Sequence, residues 1–151
     1  MPSEKLSEAE LRAWQALLHA HHDVVGTLDR ELQEEHDLSF SEYDVLLRLA
    51  RAPSRALRMS DLAERVLMSP SGLTRLVDRL EGMGLVKRGE DPDDGRVALA
   101  SLTDKGLRAV RRAASSHLRG IRRHFTGRLS KTQLRNVASA LETIAGPHAP
   151  H

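Results

Sequence analysis

Residues 69–79 combine hydroxyl groups, a glycine and two arginines in a spacing that could bind a polyanion. Leucine and valine recur among them at steps of three and four, which puts the apolar side chains on one helix face and the polar ones on the other. The outward set is Ser71, Gly72, Thr74, Arg75, Asp78 and Arg79. Most of these residues can hydrogen-bond to phosphates or base edges, so the segment is a candidate for contact with nucleic acid.

The two arginines also have a structural interpretation, as part of a solvated helix face. Arg75 and Arg79 lie four residues apart, and like charges at that spacing repel slightly, which a purely structural helix would tend to avoid. Asp78 could pair locally with Arg75 and never meet a ligand. Contact with nucleic acid is the favoured interpretation for both arginines.

Two short helices in sequence hold this polar segment. Ser69 can cap the second helix, and Pro70 suits its first position because the N–H that proline lacks has no partner there. The first helix is apolar on one side, can be capped by Ser60 and should stop near Met68. The pair reads as a helix-turn-helix.

A charged loop follows between two strands. Residues 85–88 and 97–102 have the length and partial alternation of a two-stranded hairpin. Arg96 lies in the connecting loop 90–96, where it could either reach a duplex or pair with a neighbouring aspartate such as Asp94. Together with the two helices, the hairpin predicts a winged helix-turn-helix.

Capped apolar patterns at both ends of the chain predict further helices. Ser7 with Glu10 forms a capping box for a helix that should run to about residue 35. Its apolar stripe is Leu11, Trp14, Leu18, Val25, Leu28 and Leu32. Another capping box at Ser39 starts a short helix, Thr103 can cap a long one to about residue 127, and Ser130 can cap the last.

The predicted fold is therefore mainly α. Residues 39–103 form the winged helix-turn-helix domain, and residues 1–38 with 104–151 form a helical dimerisation module. Apolar stripes at both ends of one chain favour a two-fold homodimer, with packing inside a monomer as the alternative.

Composition narrows the class of protein. The net charge of +2 is too small to indicate nucleic-acid binding by itself, but residues 85–128 hold eleven Lys and Arg against five acidic residues. Aromatic residues are 3% of the chain, too few for stacking on single strands, which favours a duplex. No apolar run reaches the roughly 20 residues of a membrane span, so we expect no membrane partner and a cytoplasmic location.

The sequence gives little support for a catalytic function or a bound cofactor. The chain has no cysteine, which excludes disulfides and thiolate metal sites. No Glu has a His three residues after it, and phosphate loops, nucleophile elbows and zinc-protease helices are absent, so the protein is predicted not to be an enzyme. His19, His21, His22 and His36, with His117 and His124, raise a metal hypothesis, but solvated or hydrogen-bonded histidine is favoured and no metal or cofactor is predicted.

The segment from Ser39 to Gly106 closely resembles the MarR family of winged-helix transcriptional regulators. The resemblance lies in residues 59–63, 69–81, 84–88, 91–96 and 102–106. It implies a homodimer that binds palindromic double-stranded DNA as a regulator, usually a repressor, and that is released by a small anionic or aromatic effector.

The resemblance also implies roles for individual residues. The helix of residues 70–82 looks like the recognition helix, and Arg96 looks like the wing-tip arginine steadied by Asp94. The predicted DNA-contacting set is Ser69, Ser71, Gly72, Thr74, Arg75, Arg79, Asp94 and Arg96. Many members carry a second basic residue where this chain has Gly95, which predicts a weaker grip of the wing on phosphates.

The effector pocket of this family lies between the dimer module and the winged domain. Trp14, Tyr43 and Asp61 are candidates to line it, while Trp14 could equally be a core or interface residue. Two alternatives for the whole protein stay open: a sequence-neutral architectural DNA binder, and a metal-responsive regulator that uses the histidines.

Overall fold

A computed structural model describes residues 4–66 and 68–146. Within these residues the chain forms six α-helices and a sheet of three strands. The elements in order are α1 (Glu8–His36), α2 (Phe40–Arg51), β1 (Ala56–Arg58), α3 (Met59–Val66), α4 (Pro70–Gly82), β2 (Val86–Glu90), β3 (Ala98–Leu102), α5 (Asp104–His124) and α6 (Lys131–Ala145). Residues 147–151, the end of the predicted terminal module, lie outside the described part.

Side-chain caps start most of these helices where the sequence predicts. Complete capping boxes stand before α1, α2 and α6, at Ser7, Ser39 and Ser130. Ser69 and Thr103 each accept a backbone N–H at the starts of α4 and α5. The prediction that Ser60 caps the third helix was wrong, because α3 begins at Met59 directly after β1 and so includes Ser60.

The sheet has one strand more than the predicted hairpin. β3 lies between β1 and β2 and pairs antiparallel with both, with Leu57 opposite Ala100 and Arg88 opposite Ala100 on the other side. Ala56–Arg58 is only three residues long and has no alternation of its own, so its strand conformation depends on β3. β1 pairs with one edge of the β2–β3 hairpin, which would be only marginally stable alone.

The fifth helix ends earlier than predicted. α5 stops at His124, Phe125 leaves the helical region with φ −133° and ψ −80°, and a short 3-10 turn follows at Thr126–Arg128. At Gly127 a Cβ atom would collide with the carbonyl of Arg122, so the chain turns more tightly there than a larger residue allows.

One continuous core joins the winged domain to parts of the terminal helices. Leu46, Leu49, Leu62, Leu73 and Leu80 are fully buried in it. It extends to Leu32 of α1 and to Ala109, Val110 and Ala113 of α5. The end of α1 and the start of α5 are therefore packed against the domain that carries α4.

The first half of α1 does not pack against this core. Residues 8–23 are all exposed, including the large apolar side chains of Leu11, Trp14 and Leu18. Leu141 and Ile144 of α6 are exposed as well, and α6 buries none of its residues. No helix in residues 4–66 or 68–146 has the length and apolarity to cross a membrane.

Gly106 allows α5 to start directly against the hairpin. A Cβ atom at this buried position would overlap the main-chain carbonyl of Leu85 and lie 2.7 Å from Leu102 Cδ1. We predict that Gly106→Ala lowers the free energy of unfolding by about 1–3 kcal/mol, the usual range for overpacking. Chemical denaturation measures this effect.

Gly82→Ala is the matched control, since nothing lies within 4 Å of a Cβ atom there. We expect that change to be neutral or to stabilise by roughly 0.5–1 kcal/mol, through the lower helix propensity of glycine. Equal effects at Gly82 and Gly106 would contradict the close approach at Gly106.

Candidate nucleic-acid interface

Helix α4 presents one polar face because its other face is buried. Leu73, Val77 and Leu80 are buried, as the spacing predicts. Ser69 caps the helix, and its Oγ accepts the N–H of Gly72 at 3.2 Å. The missing side chain of Gly72 leaves room for this cap, since a Cβ atom would lie 3.1 Å from the Ser69 oxygen.

The outward residues of α4 differ in how much they are committed to contacts within the protein. Arg75 is exposed and makes no hydrogen bond or ion pair with any described residue. The Thr74 hydroxyl donates to the carbonyl oxygen of Pro70 at 2.9 Å and keeps its acceptor capacity. Ser71 is exposed, with its Oγ 3.4 Å from that of Ser69. The polar side chains in the first two turns of α4 can therefore form hydrogen bonds with groups outside the protein.

Arg79 is different because it pairs with a buried acid. Its Nε lies 3.1 Å from Oε2 of Glu42, whose side chain is only 5% exposed. Glu42 completes the capping box that the sequence predicts at Ser39, but its pairing with Arg79 was missed. The two residues are far apart in sequence, and no local pattern indicates their contact.

Asp78 pairs with a residue of the wing and not with Arg75. Its Oδ1 lies 2.9 Å from Arg88 Nη1 on β2. The backbone N–H of Arg88 also donates to Glu81 Oε2 at 2.8 Å. Two acidic side chains of α4 thus fix the first strand of the wing to the helix.

The loop between β2 and β3 is held by its own aspartates. Asp94 Oδ1 accepts the backbone N–H of Arg96 at 3.1 Å and lies 3.5 Å from its Nε. The Arg96 side chain is 94% exposed, so this contact leaves most of the guanidinium in solvent. Arg96 therefore pairs with an adjacent aspartate, as predicted, and its positive charge is still accessible from solvent.

A second ion pair anchors the base of this loop. Arg58 Nε donates to Asp91 Oδ2 at 3.0 Å, and the N–H of Asp93 donates to Asp91 Oδ1 at 2.8 Å. The bond from Asp93 is the main reason that the pKa of Asp91 lies below its usual value; partial burial opposes this shift and Arg58 adds to it. The carboxylate that ties β1 to the wing is thus ionised well below neutral pH.

The three candidates for an effector pocket lie in different settings. Trp14 is exposed on the uncovered half of α1, and Asp61 is exposed on α3. Tyr43 is buried, and its ring centroid lies 4.6 Å from that of His117. Two concavities border the described helices α1 and α5, one of about 300 Å³ at the end of α1 and a smaller one beside His117, and neither is lined by these three residues.

The histidines of α5 are used in packing against α1 and α2. His124 Nε2 lies 2.6 Å from Glu31 Oε1, and His36 Nε2 lies 2.6 Å from Ser116 Oγ. His117 contacts the rings of Phe40 and Tyr43. Within residues 4–66 and 68–146, no three His, Asp or Glu residues are grouped so as to hold a metal ion.

A capped helix with an outward polar face, a preceding short helix and an arginine-tipped hairpin define a winged helix-turn-helix protein. A family model described as MarR family matches residues 36–97. YkoM, an HTH-type transcriptional regulator of Bacillus subtilis (strain 168), is 32% identical over 119 residues, which cover 78% of this chain and 74% of that protein.

Solved structures are similar over nearly the whole chain. Sco3205, a MarR family transcriptional regulator from Streptomyces coelicolor in complex with DNA, has a TM-score of 0.91 at 32% identity over 98% of this chain and 92% of its own. AbsC, a MarR family regulator from the same organism, has a TM-score of 0.89 at 32% identity over 95% and 96%. The chain belongs to the MarR family of transcriptional regulators and is not an enzyme.

The environment of His117 makes stability depend on pH. Burial lowers the pKa of His117, and the carboxylates of Glu31 and Asp44 only partly oppose this. As pH falls through about 6.5, His117 becomes protonated in the unfolded chain but stays neutral in the folded chain. The free energy of unfolding therefore decreases as pH falls, until the pH reaches the lower pKa of the folded chain. We predict that His117→Phe, which keeps a ring against Phe40, reduces this loss.

Urea unfolding of both chains at about pH 7.5 and about pH 5, on either side of the ordinary histidine pKa, measures the difference. The two chains differ only at residue 117, so wild type serves as the reference for every other group. An equal decline in the two chains would contradict the inferred pKa shift.

Proposed function

We propose that this protein is a homodimeric repressor that binds palindromic double-stranded DNA in a sequence-specific manner and is released by a small effector. One observation carries the proposal: α4 holds the guanidinium of Arg75 exposed and unpaired among the described residues, on a capped helix whose opposite face is buried. Arginine at such a position can make a bidentate contact with guanine in the major groove.

The other predicted residues have supporting roles in this arrangement. Ser69, Ser71 and Thr74 offer hydroxyls near the start of α4, where the helix dipole favours a phosphate. Gly72 allows the backbone to approach closely. The exposed Arg96, oriented by Asp94, suits a narrow minor groove, where the negative potential is strongest.

Dimerisation is supported by the apolar surface of the terminal helices. Leu11, Trp14 and Leu18 are between 44% and 53% exposed on one stripe of α1, and Ile144 of α6 is 78% exposed. Contiguous apolar surface of this kind is rare on monomers and is typical of interfaces. A two-fold pair of subunits would place two α4 helices about 34 Å apart, which matches an inverted repeat.

Release by an effector follows from the packing between the module and the winged domain. The core that surrounds α4 includes residues of α1 and α5, so a change in how the terminal helices pair would move α4. A small anionic or aromatic molecule at this junction, where Tyr43 belongs to the core, acts as a release signal only if it binds more tightly to the DNA-incompetent spacing of the two α4 helices.

A sequence-neutral architectural binder is the second candidate. A net charge of +2 argues against it, because such binding depends almost wholly on phosphate neutralisation. Competition with unrelated duplex DNA separates the two: a specific regulator stays on its site, whereas an architectural binder is displaced in proportion to the mass of competitor.

A mobility-shift assay on inverted repeats from the DNA next to the coding region tests the proposed function. We predict salt-sensitive, sequence-preferring binding by the wild type. Arg75→Ala should cost about 1–3 kcal/mol of binding free energy and relax the preference at one base pair of each half-site. Arg111→Ala, which removes an exposed arginine from α5, is the control and should bind as wild type.

An equal loss in the Arg75 and Arg111 variants would argue for general electrostatic attraction. If the wild type itself bound DNA without preference for the repeat, the proposal as a whole would be contradicted.

The assembly has its own test on α1. We predict that Trp14→Asp combined with Leu18→Asp shifts the protein from dimer to monomer in sedimentation experiments, because two carboxylates would be buried without partners. Ala16→Asp combined with Ala20→Asp places the same charge on the opposite side of the helix, where both residues are exposed, and should leave the dimer intact. A monomeric wild type at micromolar concentration would contradict the assembly.

A further inference from the structure

The ion pair between Arg79 and Glu42 distinguishes Arg79 from the other arginine of α4. We propose that Arg79 is a positioning residue, which sets α4 against α2 through Glu42 and does not itself grip DNA. The inference rests on the proposed function, since it concerns how α4 is held for an operator. It replaces the predicted DNA contact of Arg79 with a role inside the protein.

Glu42 is a fixed point on the scaffold. Its Oε1 accepts the N–H of Ser39 at 2.8 Å, while the Ser39 hydroxyl accepts the N–H of Glu42 at 3.0 Å. The next N–H of this turn, from Phe40, donates to Asp29 Oδ1 of α1 at 2.7 Å. The first turn of α2 is therefore attached to α1 as well as capped, and the carboxylate has little freedom to follow a moving arginine.

Burial makes the pairing necessary for Glu42. Its side chain is 5% exposed, and Oε2 accepts no hydrogen bond from the described residues, so the guanidinium of Arg79 at 3.1 Å is its compensating charge. A buried carboxylate without its cation is strongly destabilised. Transfer of Arg79 to a phosphate would leave that charge uncompensated, which favours the pair in the bound state as well.

The position of Arg79 along α4 suits this role. Arg75 lies about one turn nearer the capped end, is exposed, and has no partner among the described residues. Arg79 lies in the last turn, where a fixed contact restrains rotation of α4 about its axis. One arginine is thus available to the ligand, while the other determines the direction in which the first one points.

Three variants of the protein separate positioning from contact. Glu42→Gln removes the charge but keeps a side chain that can complete the capping box with Ser39. Arg79→Gln removes the cation, and the double variant removes both. We expect each single variant to bind the operator about tenfold more weakly than wild type, a factor that is typical of residues in contact. The double variant should bind the operator no more weakly than either single variant, because each single change already breaks the same ion pair.

The salt dependence of binding distinguishes Arg79 from a residue that neutralises a phosphate. We expect Arg79→Gln to leave the base preference and the slope of log K against log salt unchanged. Arg75→Gln, the matched variant, should instead relax the preference at one base pair of each half-site, and loss of a phosphate-neutralising residue would reduce the slope by about one. The proposal is overturned if Arg79→Gln reduces the slope by about one, or relaxes the base preference as Arg75→Gln does, while Glu42→Gln binds like wild type.

The double variant also separates positioning from general stability. Arg79→Gln should lower the urea midpoint because it leaves a buried charge, and adding Glu42→Gln should restore it. Operator affinity should stay low in the double variant. Recovery of both midpoint and affinity would overturn the proposal, because the pair would then act only through stability.

These results also separate this inference from the proposed function. If wild type binds the repeat and all three variants bind equally well, only the role of Arg79 fails. If wild type shows no preference for any repeat, the proposed function itself fails.

Discussion

The burial of Leu73, Val77 and Leu80 is the constraint on which the binding surface depends. These three side chains fix the rotation of α4 in the core, and every polar residue between them faces outward as a result. The hydroxyl and guanidinium groups of the helix are therefore held in place before any ligand arrives. A surface built in this way loses little conformational entropy on binding, which is the general advantage of preorganisation.

The same core gives the terminal helices two different functions. The second half of α1 contributes Leu28 and Leu32 to the interior, whereas residues 8–23 are exposed. One continuous helix thus links the interior of the winged domain to an uncovered apolar surface about 24 Å long, at the usual rise of an α-helix. Because a helix is stiff, contacts made at its exposed end affect the orientation of the domain at its other end.

Short-range signals made much of this structure predictable. Capping boxes, the proline at the start of α4 and the three- and four-residue apolar steps are local, and the helices start at or next to the predicted residues. β1 was missed because its pairing with β3 spans more than forty residues. The pairing of Glu42 with Arg79 was missed for the same reason: periodicity tells which side of a helix is outward but not which distant residue is its neighbour.

The junction between α4 and α5 has a mechanical consequence. Lys105 Nζ donates to the carbonyl of Met83 at 2.8 Å, and Thr103 Oγ1 donates to that of Gly84 at 2.7 Å. The turn that ends α4 is thus bonded to the start of α5, and Gly84, with φ 77°, provides the sharp turn that leads from α4 into β2. The end of α4 and the start of α5 should consequently move together, so that a displacement of α5 is passed directly to α4.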